Sequence, residues 1–148
     1  MPDDRPPPGG PELARWYNEH APWGAFPRLL GLEVLAVERD CVRGRLPVTQ
    51  QLIAGTGVLW APAVVGLADA LCAAGTAVNL PEGASFTTIE LKANFLGTAR
   101  AGEEVVGTAT PAHVGRSTHV WDVDLANAST DRTIALFRCT QMVLYPGQ

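Results

Sequence analysis

The chain has 148 residues, a length that suits one domain built around a single core. Charged residues make up 18% of the chain and hydrophobic residues 47%, which excludes a disordered protein, because disorder needs low hydrophobicity and high charge. The net charge is −4 and the one lysine is Lys92, so no basic face is available for binding nucleic acid.

The first residues differ in composition from the rest. Residues 1–11 are rich in proline and glycine, and we expect a disordered tail without a signal peptide, followed by one domain over residues 12–148. Three cysteines at wide spacings, Cys41, Cys72 and Cys139, lie within apolar patterns. They are typical of buried free thiols in a reducing compartment, which predicts a cytoplasmic protein.

Two elements are predicted in the N-terminal third. A short helix spans Glu12–Trp23, and a strand spans Leu29–Val48, in which residues 42–48 alternate with period two. Gly31 and Gly44 mark a bend or bulge in that strand. Residues Gln50–Leu59 form a loop.

A helix is predicted over Ala61–Val78. Its apolar residues recur every three or four positions, namely Val64, Leu67, Leu71, Ala74 and Val78. Asp69 is the one charged residue between Arg45 and Glu82, and helical phase places it opposite this stripe, on a face of small residues that also includes Thr76. Proline, glycine and glutamine interrupt the neutral stretch before Asp69, so we interpret it as buried in protein rather than in a membrane.

The remaining chain predicts four strands. They span 88–95, 104–112, 118–127 and 133–145, with a turn at 114–117. The last strand is apolar on both faces, which is typical of a central strand. One long helix followed by consecutive antiparallel strands predicts an α+β domain in which a curved antiparallel sheet wraps around the helix.

Four motifs resemble one family. They are Leu30-Gly31-Leu32-Glu33-Val34, Leu67-Ala68-Asp69, the strand segment from Ile89 to Leu96, and Val114-Gly115-Arg116-Ser117. In order and spacing they resemble the hot dog fold acyl-CoA thioesterases of the phenylacetic-acid-degradation (PaaI-like) type, from about Leu29 to Leu144. The resemblance implies the hot dog fold, a homodimer or a dimer of dimers (homotetramer), and an acyl-CoA or related thioester substrate. Coenzyme A is then part of the substrate and no separate cofactor is implied.

The resemblance also implies catalytic residues. Asp69 would activate water or attack the thioester carbonyl, and the backbone N–H of Ala61 would polarise the carbonyl oxygen. Thr88 would help to position the nucleophilic water from the partner subunit. The family commonly carries His-Gly-Gly nine residues before the acid, where this chain has Trp60-Ala61-Pro62. It also commonly carries an asparagine six residues earlier, where this chain has Ala54.

Substrate-binding residues follow from the same resemblance. They are Trp60 beside the acid, Thr87 next to Thr88, and Arg116 with Ser117, which would contact the phosphates or the pantetheine arm of coenzyme A.

Alternatives remain open for several residues. Asp69 could be a structural acid that pairs across an interface, and the whole protein could bind an acyl-CoA or apolar ligand without turnover. A hot dog dehydratase is the third possibility, but no histidine follows Asp69 closely. Cys72 fits core packing, and His113 with His119 fits a solvated hairpin better than a metal site. Trp60 and Trp121 fit either an acyl pocket or the core. No metal, nucleotide-cofactor or membrane site is indicated.

Overall fold

The computed structural model describes residues 5–20 and 22–147, which form three helices, a short 3-10 turn (Gln50–Leu52) and six strands. The helices are α1 (Gly10–His20), α2 (Ala25–Leu30) and α3 (Ala61–Asn79), and the strands are β1 (Glu33–Val37), β2 (Val42–Pro47), β3 (Ser85–Phe95), β4 (Glu104–Val114), β5 (Thr118–Asn127) and β6 (Thr133–Leu144). All strand pairs are antiparallel, in the order β1-β2-β4-β5-β6-β3. The predicted α+β architecture is confirmed.

Helix α3 lies in the concave side of the sheet and contacts every strand. Leu67 and Leu71 on its apolar stripe are fully buried. Two strand glycines let the sheet approach the helix closely, since a Cβ at Gly44 would lie 2.6 Å from Leu71 Cδ2 and one at Gly107 would lie 2.8 Å from Leu71 Cδ1. By length and composition alone α3 could span a membrane. In this structure it forms the core of the domain.

The face of α3 opposite the apolar stripe is less open than helical phase predicts. Thr76 is fully buried and accepts a hydrogen bond of 3.0 Å from Trp121 Nε1. The Trp121 ring packs against Gly75, where a Cβ would lie 2.6 Å from it. The curved sheet therefore covers the helix on more than one side, and Trp121 belongs to the core rather than to a pocket.

The prediction of one strand over Leu29–Val48 is wrong. Gly31, in the left-handed conformation (φ 74°), ends α2, and the chain then forms a hairpin of β1 and β2. The hairpin turn is closed by the Glu38 N–H, which donates to the Cys41 carbonyl at 2.9 Å. This turn contains neither glycine nor proline, and Asp40 is its one residue of a type common in turns.

The start of the domain also differs from the prediction. Helix α1 begins at Gly10, inside the segment predicted as a tail, and ends at His20 rather than Trp23. Residues 1–4 of that predicted tail lie outside the described residues.

Strands β3 and β6 position the candidate site. β3 is an edge strand and β6 lies between β5 and β3, so β6 is internal to the sheet as predicted. Apart from Ile134, however, only its inward row is buried, because no second helical layer of the described residues covers the convex face of the sheet. The outward residues Leu136, Met142 and Leu144 are 39–46% exposed, which corrects the prediction that both faces of this strand are buried.

Candidate active site

Asp69 projects from the middle of α3 toward the sheet. It is partly buried and faces the inward rows of β3 and β6. Thr88 Oγ1 donates to Asp69 Oδ1 at 3.1 Å, and Cys139 Sγ donates to the same oxygen at 3.6 Å. Thr88 meets Asp69 within one chain, which corrects the expectation that it arrives from the partner subunit.

The two carboxylate oxygens of Asp69 have different surroundings. Both hydrogen bonds from described residues end on Oδ1, and none ends on Oδ2. A carboxylate oxygen without a donor keeps its lone pairs available for a proton or an electrophilic carbon. The structure thus fixes one oxygen and leaves the other available for chemistry.

Two cysteine side chains border the carboxylate. Burial, more than any other factor, raises the pKa of the Cys72 thiol, and its hydrogen bond with Cys139 and the nearby Asp69 carboxylate raise it further. A thiol held protonated is a poor nucleophile. Cys72 therefore acts as a packing residue, as the sequence indicates, whereas Cys139 has the additional role of donating to Asp69.

A glutamine completes the polar cluster. Gln141 is fully buried on β6, directly opposite Thr88 on β3, and its Nε2 donates to Thr88 Oγ1 at 3.4 Å. Sequence reasoning missed both Gln141 and Cys139. The available signal was one amide within the otherwise apolar inward row of the last strand.

The N-terminus of α3 forms a second feature. No side chain caps the helix at Trp60, Pro62 has no N–H, and the Ala63 N–H donates to the Trp60 carbonyl at 3.0 Å. The Ala61 N–H is therefore the donor of this turn that remains available to a ligand. Because the helix dipole is positive at this end, the position favours a developing negative charge.

A cavity of about 400 Å³ opens beside this helix end. It is mostly apolar, and it is lined by Trp60, Ala61, Val64, Phe95, Ile134 and residues of the 54–59 and 97–99 segments. Trp60 is 59% exposed, so its indole extends the apolar wall toward solvent rather than filling the core.

The helix separates these two features. Ala61 and Asp69 are eight residues apart, which at about 1.5 Å per residue is about 12 Å along α3. The first turn of α3 lines the same cavity as Phe95 at the end of β3, whereas Asp69 contacts Thr88 near the start of that strand. The resemblance implies that Ala61 and Asp69 act on one carbonyl group, and within one chain they are too far apart for this.

The other predicted substrate-binding residues lie outside both features. Thr87 is exposed on the convex face, opposite to Thr88, because it pairs with the outward Met142. Arg116 and Ser117 are exposed in the turn between β4 and β5, at the end of the sheet where β3 begins. Tyr145 Oη donates to the Arg116 carbonyl at 2.6 Å, a contact that involves the backbone of this turn and not the guanidinium.

The two hairpin histidines are not both solvated. His113 is exposed, but His119 is 2% exposed, and burial lowers its pKa. His119 pairs with Gln141 across the two strands. Among the described residues, no hydrogen-bond partner reaches His119 Nδ1 or Gln141 Oε1. In the described part of the chain no three His, Cys, Asp or Glu side chains cluster as metal ligands.

Comparisons with known proteins agree with this geometry. The model of the family described as the thioesterase superfamily matches residues 56–134. The 1,4-dihydroxy-2-naphthoyl-CoA hydrolase of Listeria monocytogenes is 30% identical over 111 residues, which cover 75% of this chain and 89% of that protein. The acyl-coenzyme A thioesterase PaaI of Escherichia coli is 30% identical over 126 residues, 83% of this chain and 86% of that protein.

Solved structures give the same result. A Haemophilus influenzae thioesterase superposes with a TM-score of 0.82 at 25% identity, covering 91% of this chain and 92% of that one. The Escherichia coli PaaI protein superposes with a TM-score of 0.75 at 26% identity, covering 86% of this chain and 91% of that one. The predicted hot dog fold is confirmed.

Proposed function

The chain belongs to the thioesterase superfamily, and from this premise we propose that it hydrolyses an acyl-CoA thioester with Asp69 as general base or nucleophile. The observation that carries the proposal is the carboxylate itself, which is held at Oδ1 by Thr88 and Cys139, while no donor in the described part of the chain reaches Oδ2.

As a general base, Asp69 Oδ2 takes a proton from water, and the resulting hydroxide attacks the thioester carbonyl carbon. The tetrahedral oxyanion accepts a hydrogen bond from an Ala61 N–H at a helix N-terminus. The C–S bond then breaks, and the coenzyme A thiolate takes the proton back from Asp69. The products are the free acid and coenzyme A, and the step uses no separate cofactor.

As a nucleophile, Oδ2 attacks the same carbon and expels the thiolate, which forms a mixed anhydride that water hydrolyses. One turnover in ¹⁸O-labelled water reveals the anhydride when water attacks its Asp69 carbon, because that attack places the label in the enzyme. Attack on the acyl carbon instead labels the released acid, as general-base hydrolysis does. Label in the Asp69 side chain after single turnover therefore identifies the covalent route.

A second copy of the chain resolves the separation of Ala61 from Asp69. β3 is an edge strand with exposed apolar side chains, among them Leu91 and Phe95, on the side of the sheet that carries α3. An exposed apolar edge favours pairing with another strand. A twofold axis normal to the sheet would pair two β3 strands antiparallel and reverse the direction of the second α3. The cavity and Ala61 of one subunit would then approach Asp69 and Thr88 of the other.

This arrangement also suits the two parts of the substrate. The acyl group would enter the apolar cavity beside Ala61. Arg116 and Ser117 of the subunit that supplies Asp69 lie at the sheet end where the thioester would emerge, and the planar guanidinium suits a phosphate of coenzyme A.

Thiol release from a panel of aromatic, short, medium and long acyl-CoAs tests the proposal. We expect release by the wild type and a loss of about 10³-fold or more in Asp69→Asn, which removes the base and nucleophile but keeps the shape. Asp124→Asn is the matched control, since Asp124 is an exposed strand carboxylate remote from α3. Wild-type rates in a folded Asp69→Asn protein would refute the proposal.

A non-catalytic acyl-CoA-binding protein is the second candidate. Trp60-Ala61-Pro62 supplies no polar side chain at the helix N-terminus, which favours binding without activation of water. Binding of the acyl-CoA panel without thiol release would support this candidate over hydrolysis.

A further inference from the structure

A line of hydrogen-bonded side chains runs from the buried Gln141 on the sheet to Asp69. Gln141 Nε2 donates to Thr88 Oγ1 at 3.4 Å, and Thr88 Oγ1 donates to Asp69 Oδ1 at 3.1 Å. The three residues come from β6, β3 and α3, so the line crosses three separate elements of the fold.

The direction of these hydrogen bonds is set by chemistry. An amide N–H can only donate, and a threonine hydroxyl carries one proton. When the Thr88 oxygen accepts from Gln141, its proton is directed to another acceptor, and Asp69 Oδ1 is that acceptor. Gln141 thus orients the Thr88 hydroxyl toward the carboxylate.

Burial makes this orientation persistent. Gln141 is 0% exposed and sits directly opposite Thr88 in the antiparallel ladder. A buried amide without partners is costly, so Gln141 needs the Thr88 contact, and water does not compete for it as at an exposed site.

We propose that Gln141 is a positioning residue for hydrolysis, which holds the Thr88 hydroxyl so that Asp69 is anchored at Oδ1 and presents Oδ2 to the substrate. The inference rests on the proposed function. It also assigns Thr88 a different task from the positioning of water, because the one hydroxyl proton is already given to Asp69.

The test uses Gln141→Met, which keeps the side-chain volume and removes the amide, and Thr88→Val, which keeps the shape and removes the hydroxyl. In Gln141→Met we expect kcat for thiol release to fall about tenfold or more with KM changed less than twofold, because the reacting oxygen is misplaced while the binding cavity is intact. Because Gln141 acts through Thr88, the same substitution in the Thr88→Val protein should lower kcat little further.

Thr76→Val is the matched control. It removes a buried hydroxyl on α3 that accepts from Trp121 and lies away from Asp69. We expect it to lower the midpoint of chemical denaturation without changing kcat. Unchanged kcat in Gln141→Met, or losses that multiply in the double variant, would overturn the inference.

A second measurement needs neither turnover nor the folding of a Gln141 variant. Gln141 is the buried one among the described glutamines, so its side-chain amide is identified in ¹⁵N-glutamine-labelled protein by slow exchange in D₂O. We expect this amide resonance to move in Thr88→Val and in Asp69→Asn but not in Thr76→Val. An amide insensitive to Thr88→Val would refute the hydrogen-bonded line. Absence of thiol release by the wild type would instead refute the proposed function.

Discussion

Pairs of altered subunits provide a direct test of a site shared between two chains. One chain carries Asp69→Asn and keeps its Ala61 N–H. The other carries Ala61→Pro, which removes that N–H and keeps Asp69. Proline fits this position because the first turn of a helix tolerates it, and the preceding residue, Trp60, is already extended (ψ 129°).

The expected activity of the mixed dimer follows from the spacing of Ala61 and Asp69 along α3. This spacing of about 12 Å is about four times the length of a hydrogen bond, so the two groups of one chain cannot act on the same carbonyl. If a site takes Ala61 from one subunit and Asp69 from the other, a mixed dimer contains one intact site and one that lacks both groups. Its activity should be about half that of the wild type. Each altered homodimer should be reduced 10²-fold or more, since loss of one oxyanion donor alone has that effect.

The assay is coenzyme A release by mixed dimers purified through two different affinity tags. The control pairs a wild-type chain with one that carries both Asp69→Asn and Ala61→Pro, so that each shared site lacks one group and activity should be lost. A site shared between subunits is refuted if this control retains about half the activity while the first pair is inactive, because both groups would then act within one chain. Ala61→Ser, which keeps the N–H, should stay active.

Three further predictions concern the core and the surface. A methyl group in Gly75→Ala would lie 2.6 Å from the buried Trp121 ring. The free energy of unfolding measured by denaturant titration should therefore fall by about 1–2 kcal/mol, although alanine gains about 1 kcal/mol in helix propensity. An unchanged midpoint of denaturation would contradict the tight packing. Burial lowers the pKa of His119 from 6.5, with the nearby His113 charge acting in the same direction and a Gly115 backbone hydrogen bond opposing it. Protonation then favours the unfolded chain, so the stability that neutral His119 confers is present above pH 6.5 and is lost as the pH falls toward the folded value. The Tm should therefore drop more on acidification in the wild type than in His119→Gln, and equal drops would refute this. The hydrogen bond from Arg138 lowers the pKa of Asp122, but both side chains are about half exposed. Asp122→Asn should therefore change the free energy of unfolding by less than about 1 kcal/mol. A larger loss would contradict this and argue for a partner on that face.

The sequence predicted the second half of the chain well. Helix α3 begins at the predicted Ala61 and ends one residue later than predicted, and β4, β5 and β6 agree with prediction to within two residues. These elements have strict apolar periods and are separated by turns with clear polar or glycine signals. The β1–β2 hairpin was missed because its turn, Glu38–Cys41, carries neither glycine nor proline, and the three consecutive charged residues that interrupt the alternation there were not interpreted as a turn.

The candidate site was predictable in part. Helical phase singled out Asp69, and family spacing singled out Thr88, which the structure brings into contact. Gln141 and Cys139 could not be assigned, because strand pairing decides which residues of β6 face Thr88 and α3, and register is a long-range property. The distance from Ala61 to Asp69, in contrast, could be predicted from the sequence. The rise of a helix is fixed, so the numbering alone separates the two groups by more than two turns.

The chemical character of the site follows from the neutral stretch that surrounds Asp69. The described residues give its carboxylate no lysine or arginine partner, and the donors that reach it, Thr88 and Cys139, are neutral. A guanidinium would bind both oxygens and lower their tendency to take up a proton or attack a carbonyl. Neutral donors on one oxygen orient the carboxylate and leave its charge uncompensated. The scarcity of charge between Arg45 and Glu82 therefore suits a reactive acid, and the side chain that holds the Thr88 hydroxyl, Gln141 on β6, is likewise neutral.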